Sequence, residues 1–223
     1  MKRIPEPELM NEPAQAIAYA QADFNEPHSM FIDLFKQRFS QHHIKGHVID
    51  LGCGPADISI RFAKAFPECR IDAVDGADQM LKQAEIALQR EHLQGRIRLV
   101  EAYLQEMILP RDEYEIIISN SLLHHLHDPG ALWHSIKNLA GNSIVFIMDL
   151  MRPPGLEDVE RLVKEYAANE PEVLQRDFYH SLCASFRPEE IEKQLADARF
   201  RQLKVDIVSD RHLITYGRVC DAQ

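Results

Sequence analysis

The run Val48-Ile49-Asp50-Leu51-Gly52-Cys53-Gly54-Pro55-Ala56-Asp57 constrains the fold of this chain more than any other segment. A β-branched and aliphatic stretch enters a turn with glycines two residues apart, and an amphipathic segment from Ile58 to Phe66 follows. The order is strand, glycine loop, helix. Glycine takes unusual backbone angles and lets a ligand press against the main chain. The start of the helix presents unpaired N–H groups to an electron-rich atom. A pyrophosphate is a poor occupant, because dinucleotide loops read G-x-G-x-x-G. Here Asp57 stands at the third glycine's place and Asp50 lies just ahead of the first. Both are poorly placed for a pyrophosphate, but Asp50 suits an ammonium, so the expected ligand is cationic at one end.

Strand and helix signals alternate through the middle of the chain. Strands are expected near 47–51, 70–75, 96–101, 114–119 and 143–149, with helices between them, an order that implies a mostly parallel sheet with right-handed crossovers. Glu115-Ile116-Ile117-Ile118-Ser119-Asn120 reads as a strand buried on both faces. Near the C-terminus Gln202–Val208 and His212–Val219 are separated only by Ser209-Asp210-Arg211, and so short a link permits only an antiparallel pair. Before the sheet, 1–45 forms an extension with helical patterns over Ala14–Phe24 and Ser29–Phe39 and a turn at 23–28. A long connection, 151–186, opens on Arg152-Pro153-Pro154-Gly155 and carries helical stretches over 156–169 and 172–183.

Three further segments extend this pattern in order and spacing: the second strand, the isoleucine strand and the stretch after it. The second strand ends at Asp75, about twenty residues beyond the glycine loop, where an acid is placed to receive a ribose diol; Gly76 and Met80 follow it. Ser121-Leu122-Leu123-His124-His125-Leu126-His127-Asp128-Pro129 comes directly after the isoleucine strand. Taken with Asp50-x-Gly52-x-Gly54, the arrangement from Val48 to Asp149 resembles the class I S-adenosylmethionine-dependent methyltransferases, of the kind that act on small molecules. The resemblance implies a Rossmann-like α/β fold with a seven-stranded sheet in the order 3-2-1-4-5-7-6, the last strand antiparallel and helices on both faces. It implies two regions, an N-terminal helical extension or lid at 1–45 and a core at 46–223 with the 151–186 insertion.

The implied cofactor is S-adenosyl-L-methionine, held by Asp50, Gly52, Cys53, Gly54, Asp75, Gly76, Met80, Asn120, Ser121 and His125. One departure stands out. Many relatives place an acid after the third strand to accept the adenine amino group; Tyr103 and Leu104 stand there in this chain, so backbone and stacking contacts are expected instead. The acceptor pocket is expected from Tyr19, His124, Asp177, Tyr179 and His180. A nitrogen or thiolate acceptor needs little beyond alignment, while a hydroxyl acceptor wants a base, for which His125 and then His180 are the candidates. His124, His125 and His127 are not expected to bind metal, since adjacent residues rarely converge on one ion and no zinc spacing is present. Asp128 and Pro129 are expected as the N-cap and first residue of the next helix.

Bulk properties narrow the class. The chain has 223 residues, 45% apolar and 27% charged, with a formal net charge of −10. That size suits one α/β domain, and the acidic balance argues against a nucleic-acid substrate. No apolar run is long enough to span a membrane, and the first thirteen residues lack a signal-peptide core. Four cysteines without C-x-x-C spacing read as reduced thiols, which suits a cytoplasmic protein. The expected partner is a small-molecule methyl acceptor, with a homodimer possible through the first helix or the insertion. The competing readings are methylation of RNA or a protein side chain, and binding of the cofactor without catalysis.

Overall fold

The computed structural model describes residues 1–7 and 9–220. Two helices, α1 (Pro13–Gln21) and α2 (Asn25–Arg38), precede β1 (Gly46–Leu51). Alternation follows: α3 (Asp57–Ala65), β2 (Cys69–Asp75), α4 (Asp78–Glu91), β3 (Ile97–Glu101) and β4 (Ile116–Asn120). A 3₁₀ turn at Leu123–His125, α5 (Gly130–Leu139) and β5 (Ser143–Leu150) come next. The hairpin of α6 (Leu156–Tyr166) and α7 (Glu172–Ala184) leads to α8 (Pro188–Asp197), β6 (Lys204–Ile207) and β7 (His212–Val219).

The seven strands lie in the order β3-β2-β1-β4-β5-β7-β6, and β7 alone runs against its neighbours. Residue alternation explains why both faces are covered. Val48, Ile116, Ile118, Phe146 and Ile214 pack beneath α2, α3 and α4 with Phe31, Phe35 and Phe62. Ile49, Ile117, Val145 and Leu213 point the other way, against Trp133 and Ile136 of α5 and Ile191 and Leu195 of α8. Strands buried on both faces read as continuous apolar runs.

Local departures from the sequence expectations are small. The turn before α2 shrinks to Ala22–Phe24, because Asp23 Oδ1 accepts the Asn25 N–H at 2.9 Å and Pro27 is tolerated in a first turn. Helix α5 begins at Gly130, one residue after Pro129, and Asp128 Oδ1 accepts the Gly130 N–H at 2.9 Å. The first residues are not helical. Arg3 bonds the carbonyls of His124 (2.8 Å) and Leu126 (2.9 Å) and lies over the Phe186 ring, so this segment straps across the carboxyl ends of the strands. Among the described residues, no helix is long and apolar enough to cross a membrane.

Candidate active site

The loop after β1 is held open by its backbone. Gly52 (φ +71°) and Gly54 (φ +52°) adopt left-handed angles, and Ala56 (φ +65°) turns the chain into α3. The Gly52 and Cys53 N–H groups both donate to the Val74 carbonyl at 2.9 Å, pinning the loop to β2. A Cβ on Gly54 would meet nothing within 4 Å, so the main chain there faces open space. That space is a cleft of ≈ 1080 Å³, mouth included, between the ends of β1, β2 and β4.

Three acceptors stand out among the cleft's polar groups. Asp75 takes the N–H groups of Gly54 and Ala77, each at 2.8 Å. Burial pushes its carboxyl up and those bonds pull it back. Asp50 lies deeper, 1% exposed, and accepts the Ser59 hydroxyl at 2.6 Å. Burial lifts its pKa to about 7, against the Ser59 bond and with help from Asp75. Asn120 Oδ1 is buried with no hydrogen-bond partner among the described residues. Unsatisfied buried acceptors are costly and mark a place for a ligand's donors. Two carboxylates and an amide oxygen fit an ammonium and a ribose diol, which are donors throughout. Met80, packed with Ala16 and Ala77, and the Tyr103 ring, 3.1 Å from where a Gly76 Cβ would stand, form apolar walls.

A second cavity of ≈ 1070 Å³, mouth included, adjoins the first. Met10, Tyr19, His28, Asn120, Ser121 and His125 line both. Its apolar surfaces come from Phe24, Met148, Leu150, Leu174 and Phe178, and its polar ones include Arg211, His212 and Glu170. Helix α7 contributes Leu174, Asp177, Phe178 and Ser181, which share one face at helical spacing. Gln15 on α1 donates to Asp177 Oδ2 at 2.7 Å, tying that face to the N-terminal helices.

Two histidine–carboxylate pairs flank the shared wall, one half-buried and one buried. His28 Nδ1 lies 2.6 Å from Asp57 Oδ2, and the Arg61 guanidinium bonds the same oxygen at 2.6 Å. Burial alone would raise the Asp57 carboxyl; the His28 and Arg61 bonds outweigh it and hold Asp57 below the usual range. His124 Nδ1 pairs closely with Asp149 Oδ1, and Asp149 also accepts the His124 and Leu150 N–H groups. Glu6 reaches His124 and His125 from the N-terminal strap. Neither His28 nor Glu6 drew notice in the sequence, because nothing local marks either as a site residue.

The expected cofactor residues Asp50, Gly52, Cys53, Gly54, Asp75, Gly76, Met80, Tyr103, Leu104, Asn120, Ser121 and His125 all line the first cavity. Of the expected acceptor residues, Tyr19, His124 and Asp177 line the second, while Tyr179 and His180 do not. Tyr179 packs with Val159, Leu162 and Leu182 between α6 and α7, and His180 is exposed. Successive helical residues are turned by about 100°, so a face presenting Asp177 and Phe178 carries the next two away. His180 is thereby removed as a candidate base. His125 is in place but poorly suited to that role, since burial and the neighbouring His124 push its pKa down to about 3. Tyr19, pushed up to about 12 by burial and nearby carboxylates, stays neutral.

Comparison with known proteins fits this geometry. Residues 48–141 match the family model described as a methyltransferase domain. A trans-aconitate 2-methyltransferase of Rhodopseudomonas palustris is 27% identical over 125 residues, covering 56% of this chain and 45% of that protein. A malonyl-[acyl-carrier protein] O-methyltransferase of Bacillus cytotoxicus is 33% identical over 99 residues, covering 44% of this chain and 33% of that protein. The chain thus spans under half the length of these relatives. The plantazolicin methyltransferase BpumL, solved with SAH, superposes with a TM-score of 0.71 at 13% identity over 93% of this chain and 91% of that one.

Proposed function

We propose that this chain, which belongs to the class I S-adenosylmethionine-dependent methyltransferases, transfers a methyl group to a small molecule held in the second cavity. The observation that carries this reading is the wall shared by the two cavities. Tyr19, His28, Asn120, Ser121 and His125 border both spaces, so a donor in one and an acceptor in the other meet there. The sulfonium of S-adenosylmethionine supplies an electrophilic methyl, and the protein's share of the work is alignment and exclusion of water. Asp50 and Asn120 would receive the donor's ammonium, Asp75 its ribose hydroxyls, and Met80, Tyr103 and Leu104 would border its adenine.

The acceptor has an apolar body, matched to Phe24, Met148, Leu174 and Phe178, and a polar end matched to Arg211, His212 and Glu170. Helices α1 and α2 and the α6–α7 hairpin close the chamber, which supports reading them together as a cover. His28 is the residue we assign to take a proton from an acceptor hydroxyl. Asp57 fixes its Nδ1, so the Nε2 side of the ring is left for the cavities it lines. An amine or thiolate acceptor would use the same wall without that step.

Thermal denaturation with S-adenosylmethionine, S-adenosylhomocysteine and NAD tests the reading. A ligand at a hundred times its dissociation constant stabilises by about 2.7 kcal/mol, which is about 5–10 °C for a chain of this size. A shift with the first two ligands and none with NAD is expected. No shift with either of the first two would overturn the cofactor assignment.

A further inference from the structure

We propose that Glu6, His124 and His125 form a binding site for one divalent transition-metal ion of the zinc class. Glu6 Oε1, His124 Nε2 and His125 Nδ1 converge from the N-terminal strap and the 3₁₀ turn, all within 4.8 Å of one another and all buried. Glu6 Oε1 lies 3.5 Å from His124 Nε2 and 3.4 Å from His125 Nδ1. Those separations are too long for a good hydrogen bond. Ligands about 2.0–2.2 Å from a tetrahedral zinc ion stand about 3.3–3.5 Å apart. Glu6 Oε1 and His125 Nδ1 have no hydrogen-bond partner among the described residues. Buried acceptors facing one another without a donor between them form a place for a cation.

The surroundings hold each ligand in the required state. The close contact of His124 Nδ1 with Asp149 leaves Nε2 facing Glu6, the carboxylate–histidine–metal arrangement of many zinc sites. The His125 ring bonds the Pro7 backbone with its other nitrogen, leaving Nδ1 free to ligate. Ser181 supports the Glu6 carboxyl with a further hydrogen bond. The set supplies two imidazoles and one carboxylate, as in catalytic zinc sites that keep a fourth position for water or substrate. His124 and His125 also line the acceptor chamber, so the ion would lie at its wall. The adjacency of the two histidines, which argued against a metal in the sequence, is overcome by the tight 3₁₀ turn; their rings tilt past each other at 4.3 Å.

The test uses the full chain freed of metal by dialysis against a chelator, then titrated with Zn²⁺ or Co²⁺ alone. Saturation at about one ion per chain is expected, with the strong visible absorption of four-coordinate cobalt. Glu6→Gln keeps the side chain's shape and offers an amide N–H to the histidines, so the fold should survive while affinity drops at least about tenfold. His125→Ala is expected to lose binding similarly. Absence of saturable binding in the wild type would overturn the proposal in favour of a proton shared among the three groups. Equal affinity in Glu6→Gln would also overturn it, since the ion would then lie elsewhere. Neither readout depends on S-adenosylmethionine or on activity.

Discussion

Replacing Asp50 with Asn is expected to raise the stability of the ligand-free protein at alkaline pH while weakening the cofactor complex. Asp50 is 1% exposed, accepts one hydroxyl from Ser59, and has its pKa lifted by burial from 3.8 to about 7. A carboxyl moved that far carries on the order of 4 kcal/mol against its ionised form in the folded state. The folded chain keeps this proton to a higher pH than the unfolded chain. Stability from the group is therefore fully present below about pH 4 and is lost as pH rises through about 7. An amide carries no charge and still accepts the Ser59 hydroxyl, but its own desolvation returns about 1–3 kcal/mol. The net gain for Asp50→Asn at pH 8 is then about 1–3 kcal/mol, or about 3–8 °C in melting temperature. It should shrink as the pH falls and change sign between about pH 4.5 and 6. The same substitution removes the charged partner of the donor's ammonium, so affinity for S-adenosylmethionine at pH 8 should fall at least about tenfold. Thermal melts of the ligand-free proteins from about pH 4 to 8, with calorimetric titrations, measure both effects. Melting curves that stay parallel across the whole range would refute the account of the buried carboxyl. Unchanged affinity would remove Asp50 from the cofactor site.

Asp75→Ala should cost at least about tenfold in S-adenosylmethionine affinity by calorimetry, because the ribose loses a charged acceptor; equal affinity would refute the ribose assignment. Asp57→Asn should lower kcat for a hydroxyl acceptor while leaving cofactor affinity within about twofold, since it loosens His28 without touching the Asp50 and Asp75 contacts; a change confined to KM would count against the proton-accepting role. Phe178→Ala should raise KM for the acceptor severalfold, whereas His180→Ala should leave both steady-state constants unchanged. The reverse ranking would show that α7 presents its other face to the chamber.

What was legible in the sequence was the part set by neighbours along the chain. The isoleucine run at 116–118 announces a strand covered on both sides, and Gly52 and Gly54 announce a turn whose backbone faces a ligand. Asp75 follows because strand and crossover lengths in such folds fix how far apart the two strand ends lie in sequence. The cofactor residues expected from the sequence therefore line one and the same cleft. The acceptor side was harder, since it is assembled across long sequence gaps. His28 gains its meaning only from Asp57, and Glu6 only from a turn at the far end of β4. Helical spacing separates Phe178 from Tyr179 and His180, since the face of α7 that carries Phe178 turns the next two residues away. Asp57 has its partners in His28 and Arg61, and Asp149 has His124. Asp50 has no such partner among the described residues, and burial raises its pKa. A buried carboxylate without a cation of the protein's own, such as Asp50 or Asp75, is placed to take donors or a cation from a bound ligand. On that criterion Asp50 awaits the ammonium of the methyl donor, and Glu6, set between two imidazoles, awaits a metal ion.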